Sequence, residues 1–111
     1  MALLTVQQAV LRGTAVTFVA AAGGGDTFAR PHGNVGLRIK NGGGAAITAT
    51  IVIPGTNSYG EPQPDVVSSS IAAAADVTLG PIPAEAVDSA TGLVSVTYSG
   101  VTTVTVAAVG L

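Results

Sequence analysis

The sequence predicts an all-β fold, a single antiparallel β-sandwich or small barrel of about seven strands with a short N-terminal helix or arm. Three observations lead there. Val, Ile and Thr number 16, 6 and 13 of 111 residues, and branching at Cβ favours the pleated surface over the helix. Apolar residues recur with a period of two in several segments. Finally, 15 Gly and 6 Pro divide those segments into short runs, the pattern of an immunoglobulin-like or jelly-roll-like architecture. At this length one domain is expected, and folding can bury nearly two thirds of the surface, enough for one core.

From the N-terminus, Thr5-Val6-Gln7-Gln8 has the spacing of a capping box and Gly13 suits a helix stop, which predicts about two helical turns from Val6 to Arg12. Leu3, Val6 and Val10 would form the apolar stripe, and a helix so short must dock on the domain or on a partner. Residues 1–13 are accordingly read as an N-terminal arm or short helix, and residues 14–111 as the β-sandwich domain. A strand is expected from Ala15 to Ala21, centred on Val16 and Phe18.

Val35, Leu37 and Ile39 then alternate with Gly36, Arg38 and Lys40. Asn41-Gly42-Gly43-Gly44 offers positive-φ positions for a tight turn, and in Ile47–Ile53 the residues Ile47, Ala49, Ile51 and Ile53 share one face. The expectation is a hairpin with Ile39 opposite Ile47. Pro54 to Asp65, with three prolines and Tyr59, reads as an extended exposed loop. Strands are expected at Val66–Ile71 and Asp76–Leu79, with the four alanines Ala72–Ala75 as a loop, since so short a run cannot meet the cost of helix nucleation. Leu93–Thr97 and Val101–Val109, joined through Tyr98-Ser99-Gly100, predict a second hairpin with Gly100 in the left-handed position of a bulge and Val94 opposite Val104.

Charged residues are only 9% of the chain, with 4 Lys+Arg against 6 Asp+Glu. Disorder driven by low hydrophobicity and high charge is excluded, and four basic residues make a poor footprint for nucleic acid. Without cysteine there is neither a disulfide framework nor a thiolate site. No export signal is evident, since the first charge is Arg12 and Gln7-Gln8 break the apolar run. The uncharged stretches 41–60 and 89–111 contain Gly42-Gly43-Gly44 with Pro54 and a Val/Ser/Thr alternation respectively, so no membrane span is expected.

The search for catalytic chemistry is negative. His32, the single histidine, sits between Pro31 and Gly33 and reads as a turn residue without a nucleophile elbow to serve. Glu61 and Asp65 share the proline loop but lack a calcium-loop pattern. Gly23-Gly24-Gly25-Asp26-Thr27 lacks the Lys-Ser/Thr ending of a phosphate loop and reads as a turn. No catalytic residue, cofactor or metal site is therefore expected. Arg38 and Lys40, outward on one strand, suit protection of a sheet edge or an acidic partner. Tyr59 is the aromatic contact candidate, the alternative being that it packs over its own loop.

Several segments together resemble a family of small virion proteins of tailed bacteriophages: Leu37-Arg38-Ile39-Lys40-Asn41-Gly42-Gly43-Gly44, Ile47-Thr48, Gly80-Pro81-Ile82-Pro83, and Gly92 through Thr102. The resemblance spans about residues 35–108. Ile82 replaces the family's usual aromatic, and Ala72–Ala75 stands where a Pro/Gly turn is common. What the resemblance implies is a head decoration or cement protein on the outer capsid surface of the virion, made in the host cytoplasm. Its partners would be the major capsid protein and further copies of itself, a trimer being one arrangement, with neither nucleic acid nor membrane. Contact would involve Leu3, Leu4, Val6, Val10, Leu11 and Tyr59. The alternative is a phage tail, adhesin or carbohydrate-binding β-sandwich module.

Overall fold

Both glycine-bearing connections that read as hairpins in the sequence instead carry the chain from one sheet to another. The computed structural model describes residues 2–56, 58–62 and 64–110. Its strands are β1 (Ala2–Leu4), β2 (Gln7–Gln8), β3 (Val19–Ala20), β4 (Asp26–Ala29), β5 (Val35–Asn41), β6 (Ala49–Val52), β7 (Val66–Val67), β8 (Asp76–Leu79), β9 (Leu93–Tyr98) and β10 (Val104–Gly110), with one 3-10 turn at Ala84–Ala86. The first sheet has the order β1-β4-β9-β6-β7. The second has the order β2-β10-β5-β8, with β3 also pairing with β10. The result is a sandwich of two mixed sheets, since β1–β4 and β2–β10 are parallel and the other pairs antiparallel.

The predicted pairing of 35–40 with 47–53 is replaced by β5 between β10 and β8, and by β6 between β9 and β7. Val106 lies opposite Ile39, and Ala108 opposite Leu37. The predicted pairing of Val94 with Val104 is likewise replaced: β9 belongs to the first sheet and β10 to the second. Alternation explains both corrections. It requires the apolar faces of two successive strands to meet, and two strands facing each other across a sandwich satisfy that as fully as two edge-paired strands do. Phe28, Ala49, Val94 and Val96 of the first sheet, and Val35, Leu37, Ile39, Val106 and Ala108 of the second, are all fully buried in one core.

The two arches are locked to one another. The Gly42 N–H donates to the Thr103 carbonyl at 3.0 Å, and the Ser99 N–H donates to the Thr48 carbonyl at 2.9 Å. A Cβ on Gly42 or Gly43 would stand 2.8 Å from a carbonyl oxygen of Thr103 or Thr102. These glycines therefore serve close backbone approach. Neither they nor Gly100 adopt positive φ, which falls at Thr103 (φ 55). Asn41 is 1% exposed. Its amide donates to the carbonyls of Ala45 (2.9 Å), Ile71 (3.0 Å) and Ala72 (3.3 Å), while its Oδ1 accepts the Gly43 N–H at 3.1 Å. One buried side chain thus fastens the first arch to the alanine turn. Ala72–Ala75 is a loop as expected, closed by the Ala75 N–H on the Ala72 carbonyl.

The N-terminal helix is absent: Val6–Arg12 contains strand β2 and a turn. Open backbone edges on β4 and β10 supply the hydrogen bonds that an isolated two-turn helix would have to make against its nucleation cost. The capping-box residues are used otherwise. The Gln7 amide donates to the Thr17 carbonyl and accepts the Thr17 N–H, both at 2.8 Å, and Gln8 Oε1 pairs with His32 Nε2 at 2.7 Å. Within Ala15–Ala21 only Val19–Ala20 is strand, and Val66–Ile71 shortens to β7 followed by a bridge between Ile71 and Ile47. Strand β4 was not expected, because its inward positions hold an acid, Asp26, beside Phe28.

Candidate functional site

The sequence-derived contact residues separate into buried and exposed groups. Leu4 is 7% exposed and belongs to the core, and Val6 packs against it. Leu3, Val10, Leu11 and Tyr59 are open to solvent, with Leu11 and Tyr59 at 104% and 88%. Nor do the exposed ones form one surface. Strand β1 is the first strand of its sheet and β7 the last. At about 4.8 Å per strand, the four steps from β1 to β7 set these two edge strands about 19 Å apart, and Tyr59 lies in the connection that leads into β7.

On the N-terminal edge, Val10-Leu11-Arg12-Gly13 is a closed turn. The Gly13 N–H donates to the Val10 carbonyl at 2.9 Å, with Gly13 at φ 102. The Val10 N–H donates to Thr14 Oγ1 at 3.0 Å, and that hydroxyl donates to the Gln8 carbonyl at 3.2 Å. This bracing presents Leu11 and Arg12 outward. His32 anchors the same edge. Its Nδ1 accepts the Asn34 N–H at 3.1 Å, which leaves Nε2 to donate to Gln8. A Cβ on Gly110 would stand 3.1 Å from His32 Nε2, so the ring closes over the end of β10. His32 is thus a structural link between β2 and the β4–β5 turn.

The opposite edge exposes Val66 and Val67. Between β7 and β8 lies an apolar groove of about 240 Å³, lined by Ile51, Val66, Leu79, Pro81, Ile82 and Pro83 among others. Asp65, beside Val66, accepts the Ile53 N–H at 2.9 Å and closes the base of the proline loop. Asn57 and Gln63 of that loop lie outside the described residues.

Arg38 and Lys40 do not protect an edge, because β5 is a central strand. Both lie against the Phe18 ring, with Arg38 Cζ at 5.3 Å and Lys40 Nζ at 4.2 Å from its centroid, and Arg38 also pairs with Asp76 at 2.8 Å. Sequence reasoning missed Phe18 as their partner because it arrives from a different segment. It also missed a segregation of charge that is plain in the chain: all four Lys and Arg residues lie within residues 1–40, whereas residues 41–111 hold five of the six carboxylates.

The sixth, Asp26, is fully buried. Its Oδ2 accepts the Tyr98 hydroxyl at 2.7 Å and the Ala22 N–H at 3.3 Å, while Oδ1 is buried without a hydrogen-bond partner among the described residues. Burial, then the hydrogen bond to Asp26 and its charge, push the Tyr98 phenol far above the ordinary tyrosine range. Tyr98 therefore stays protonated as a fixed donor and supplies no base or nucleophile. Among the described residues no group of three or more His, Asp or Glu side chains is placed to hold a metal ion. No protein-family model matches the chain, and no curated protein or solved structure shows significant similarity to it.

Proposed function

We propose that the chain is a non-enzymatic structural protein of a virion, a decoration or cement protein that binds the outer surface of a tailed-phage head. The observation that carries this reading is the placement of exposed apolar side chains at both edges of a slab measuring 41 × 35 × 21 Å. Leu3, Val10, Leu11 and Val19 stand at one edge, and Tyr59, Val66 and Val67 at the other. A rigid two-layer body with a sticky edge on each side is suited to bridging neighbours on a lattice, and exposed apolar clusters mark interaction surfaces. The resemblance of the turn and strand motifs to small phage virion proteins points the same way. A protein that binds only the assembled shell stabilises that shell by mass action.

The test uses point variants, because removing residues 1–13 would also strip Leu4 from the core and both N-terminal edge strands from their sheets. Wild-type protein is expected to co-sediment with undecorated heads, whereas Leu3→Asp and Tyr59→Ala bind at least tenfold more weakly while remaining folded. Binding by both variants equal to wild type would remove the edges from the interface. Absence from heads, together with glycan-array binding that Tyr59→Ala abolishes, would instead assign a tail or adhesin module.

A further inference from the structure

We infer that Asn41-Gly42 is a deamidation site gated by the two arches: closed while they are locked together, reactive whenever they part, and irreversible once it has reacted. The property belongs to the arches and does not depend on the proposal that the chain binds phage heads.

The chemistry is local to the sequence. In an Asn-Gly pair the main-chain nitrogen reaches the preceding side-chain amide most readily, because glycine has no Cβ to hinder the approach. The Gly42 nitrogen, its proton lost to a base in solvent, bonds to Asn41 Cγ. The Cγ–Nδ2 bond breaks, and Nδ2 takes a proton from water to leave as ammonia. Water then opens the five-membered imide at either carbonyl, which places aspartate or isoaspartate at position 41. Asn34 precedes Val35 and Asn57 precedes Ser58, so of the three asparagines Asn41 alone has a glycine partner.

The fold restrains every reacting group. The Gly42 N–H donates to the Thr103 carbonyl at 3.0 Å, so its proton is held on the second arch and away from solvent base. Ring closure also requires the Asn41–Gly42 peptide to swing toward the side chain. The carbonyl of that peptide accepts the Ala74 N–H at 2.7 Å, and the Asn41 N–H donates to the Ala75 carbonyl at 2.9 Å. The leaving amide is held by the Ala45, Ile71 and Ala72 carbonyls, and Oδ1 by the Gly43 N–H. With Asn41 only 1% exposed, base and water reach it when these bonds break together. Such an opening is local, and the native chain then reacts at the unfolded rate multiplied by the fraction open. The product does not fit back. A carboxylate would turn an oxygen toward the three carbonyls that the amide now serves, leaving them buried without a donor. Isoaspartate would in addition route the main chain through Cβ at the residue of β5 that pairs with Val104.

The test incubates the full-length chain at one mildly alkaline pH, in buffer and in urea above its unfolding midpoint. Peptide mass spectrometry follows deamidation and isoaspartate at residue 41, and hydrogen exchange in the same buffer gives the protection of the Gly42 amide. Reaction in buffer is expected to be slower than in urea by at least about a hundredfold, and the ratio of the two rates should match the Gly42 protection factor within about threefold. Gly43→Ala leaves the reacting pair intact but puts a Cβ 2.8 Å from the Thr102 carbonyl oxygen, which forces the arches apart. It should react about tenfold faster than wild type in buffer and at the same rate in urea. Chain deamidated in urea and returned to buffer should melt at least about 10 °C below unmodified chain carried through the same steps. Equal rates in buffer and urea, a slow native reaction at an unprotected Gly42 amide, an unchanged rate in Gly43→Ala, or full recovery of the melting temperature after deamidation would each overturn the inference. Head binding is read in a separate assay, so either result stands without the other.

Discussion

Asn41→Ala tests the architecture at its most concentrated polar contact. The side chain is 1% exposed and joins the first arch to the alanine turn through the Ala45, Ile71 and Ala72 carbonyls and the Gly43 N–H. Its two amide hydrogens make good bonds at 2.9 and 3.0 Å, with the 3.3 Å contact sharing one of them, and Oδ1 accepts one more. At a net contribution of about 1 kcal/mol each, three bonds amount to roughly 3 kcal/mol, and carbonyls left buried without a donor raise that figure. Against a total stability of about 5–15 kcal/mol this is a large fraction, and for a domain of this size it lowers the melting temperature by roughly 12 °C. Urea unfolding followed by far-ultraviolet circular dichroism measures it directly. Asn41→Asp sharpens the result, since a carboxylate would face the Ala45, Ile71 and Ala72 carbonyls. Its folded pKa is then raised above the unfolded value, so this variant is most stable below about pH 4 and loses stability as pH rises. A loss below about 0.5 kcal/mol in Asn41→Ala would refute the argument that this side chain ties the arches.

Further outcomes follow from the same geometry. Leu4→Ala should cost about 2–4 kcal/mol and Leu3→Ala less than about 0.5, because one faces the core and the other solvent; equal costs would contradict the strand assignment of the N-terminal segment. Tyr98→Phe leaves Asp26 Oδ2 with only the Ala22 N–H and should lose about 1–3 kcal/mol in chemical denaturation. The raised phenol pKa contributes stability that is complete below about pH 10 and is lost as pH climbs beyond it. The wild-type stability curve should therefore fall on the alkaline side more steeply than that of Tyr98→Phe, and parallel curves would count against the buried pair. Phe18→Leu keeps an apolar cover on β5 but removes the ring beneath Arg38 and Lys40, for an expected loss of about 0.5–2 kcal/mol.

The strand content of the fold was legible because it rests on local alternation, and β5, β8 and the cores of β6, β9 and β10 lie where the periodicity places them. Which strands pair was not legible. The parity of Leu37, Ile39, Ala49 and Ile51 is the same for a hairpin and for an arch, and the run from Asn41 to Gly44 signals a chain reversal in both. What decides between them is long-range: Thr103 and Thr102 carbonyls that leave no room for a Cβ at residues 42 and 43, and an Asn41 amide whose acceptors at Ile71 and Ala72 lie some 30 residues away. The N-terminal segment misled for a related reason. Thr5 and Gln8 have the spacing of a helix cap, yet Gln7 and Gln8 find partners in Thr17 and His32 that no local pattern reveals. Of the candidate contact residues, the exposure of Leu3, Val10, Leu11 and Tyr59 agrees with their selection, whereas Leu4 and Val6 serve the core. Val66 and Val67 read as ordinary strand residues, and only their place at a sheet edge exposes them.

The most direct test of the functional reading is a titration of undecorated phage heads with the purified protein, followed by sedimentation and a count of bound copies per capsid. The account predicts saturation at a copy number that is a simple multiple of the capsid lattice repeat, with loss of binding in Leu3→Asp. No co-sedimentation, or saturation at only a handful of copies per head, would contradict it.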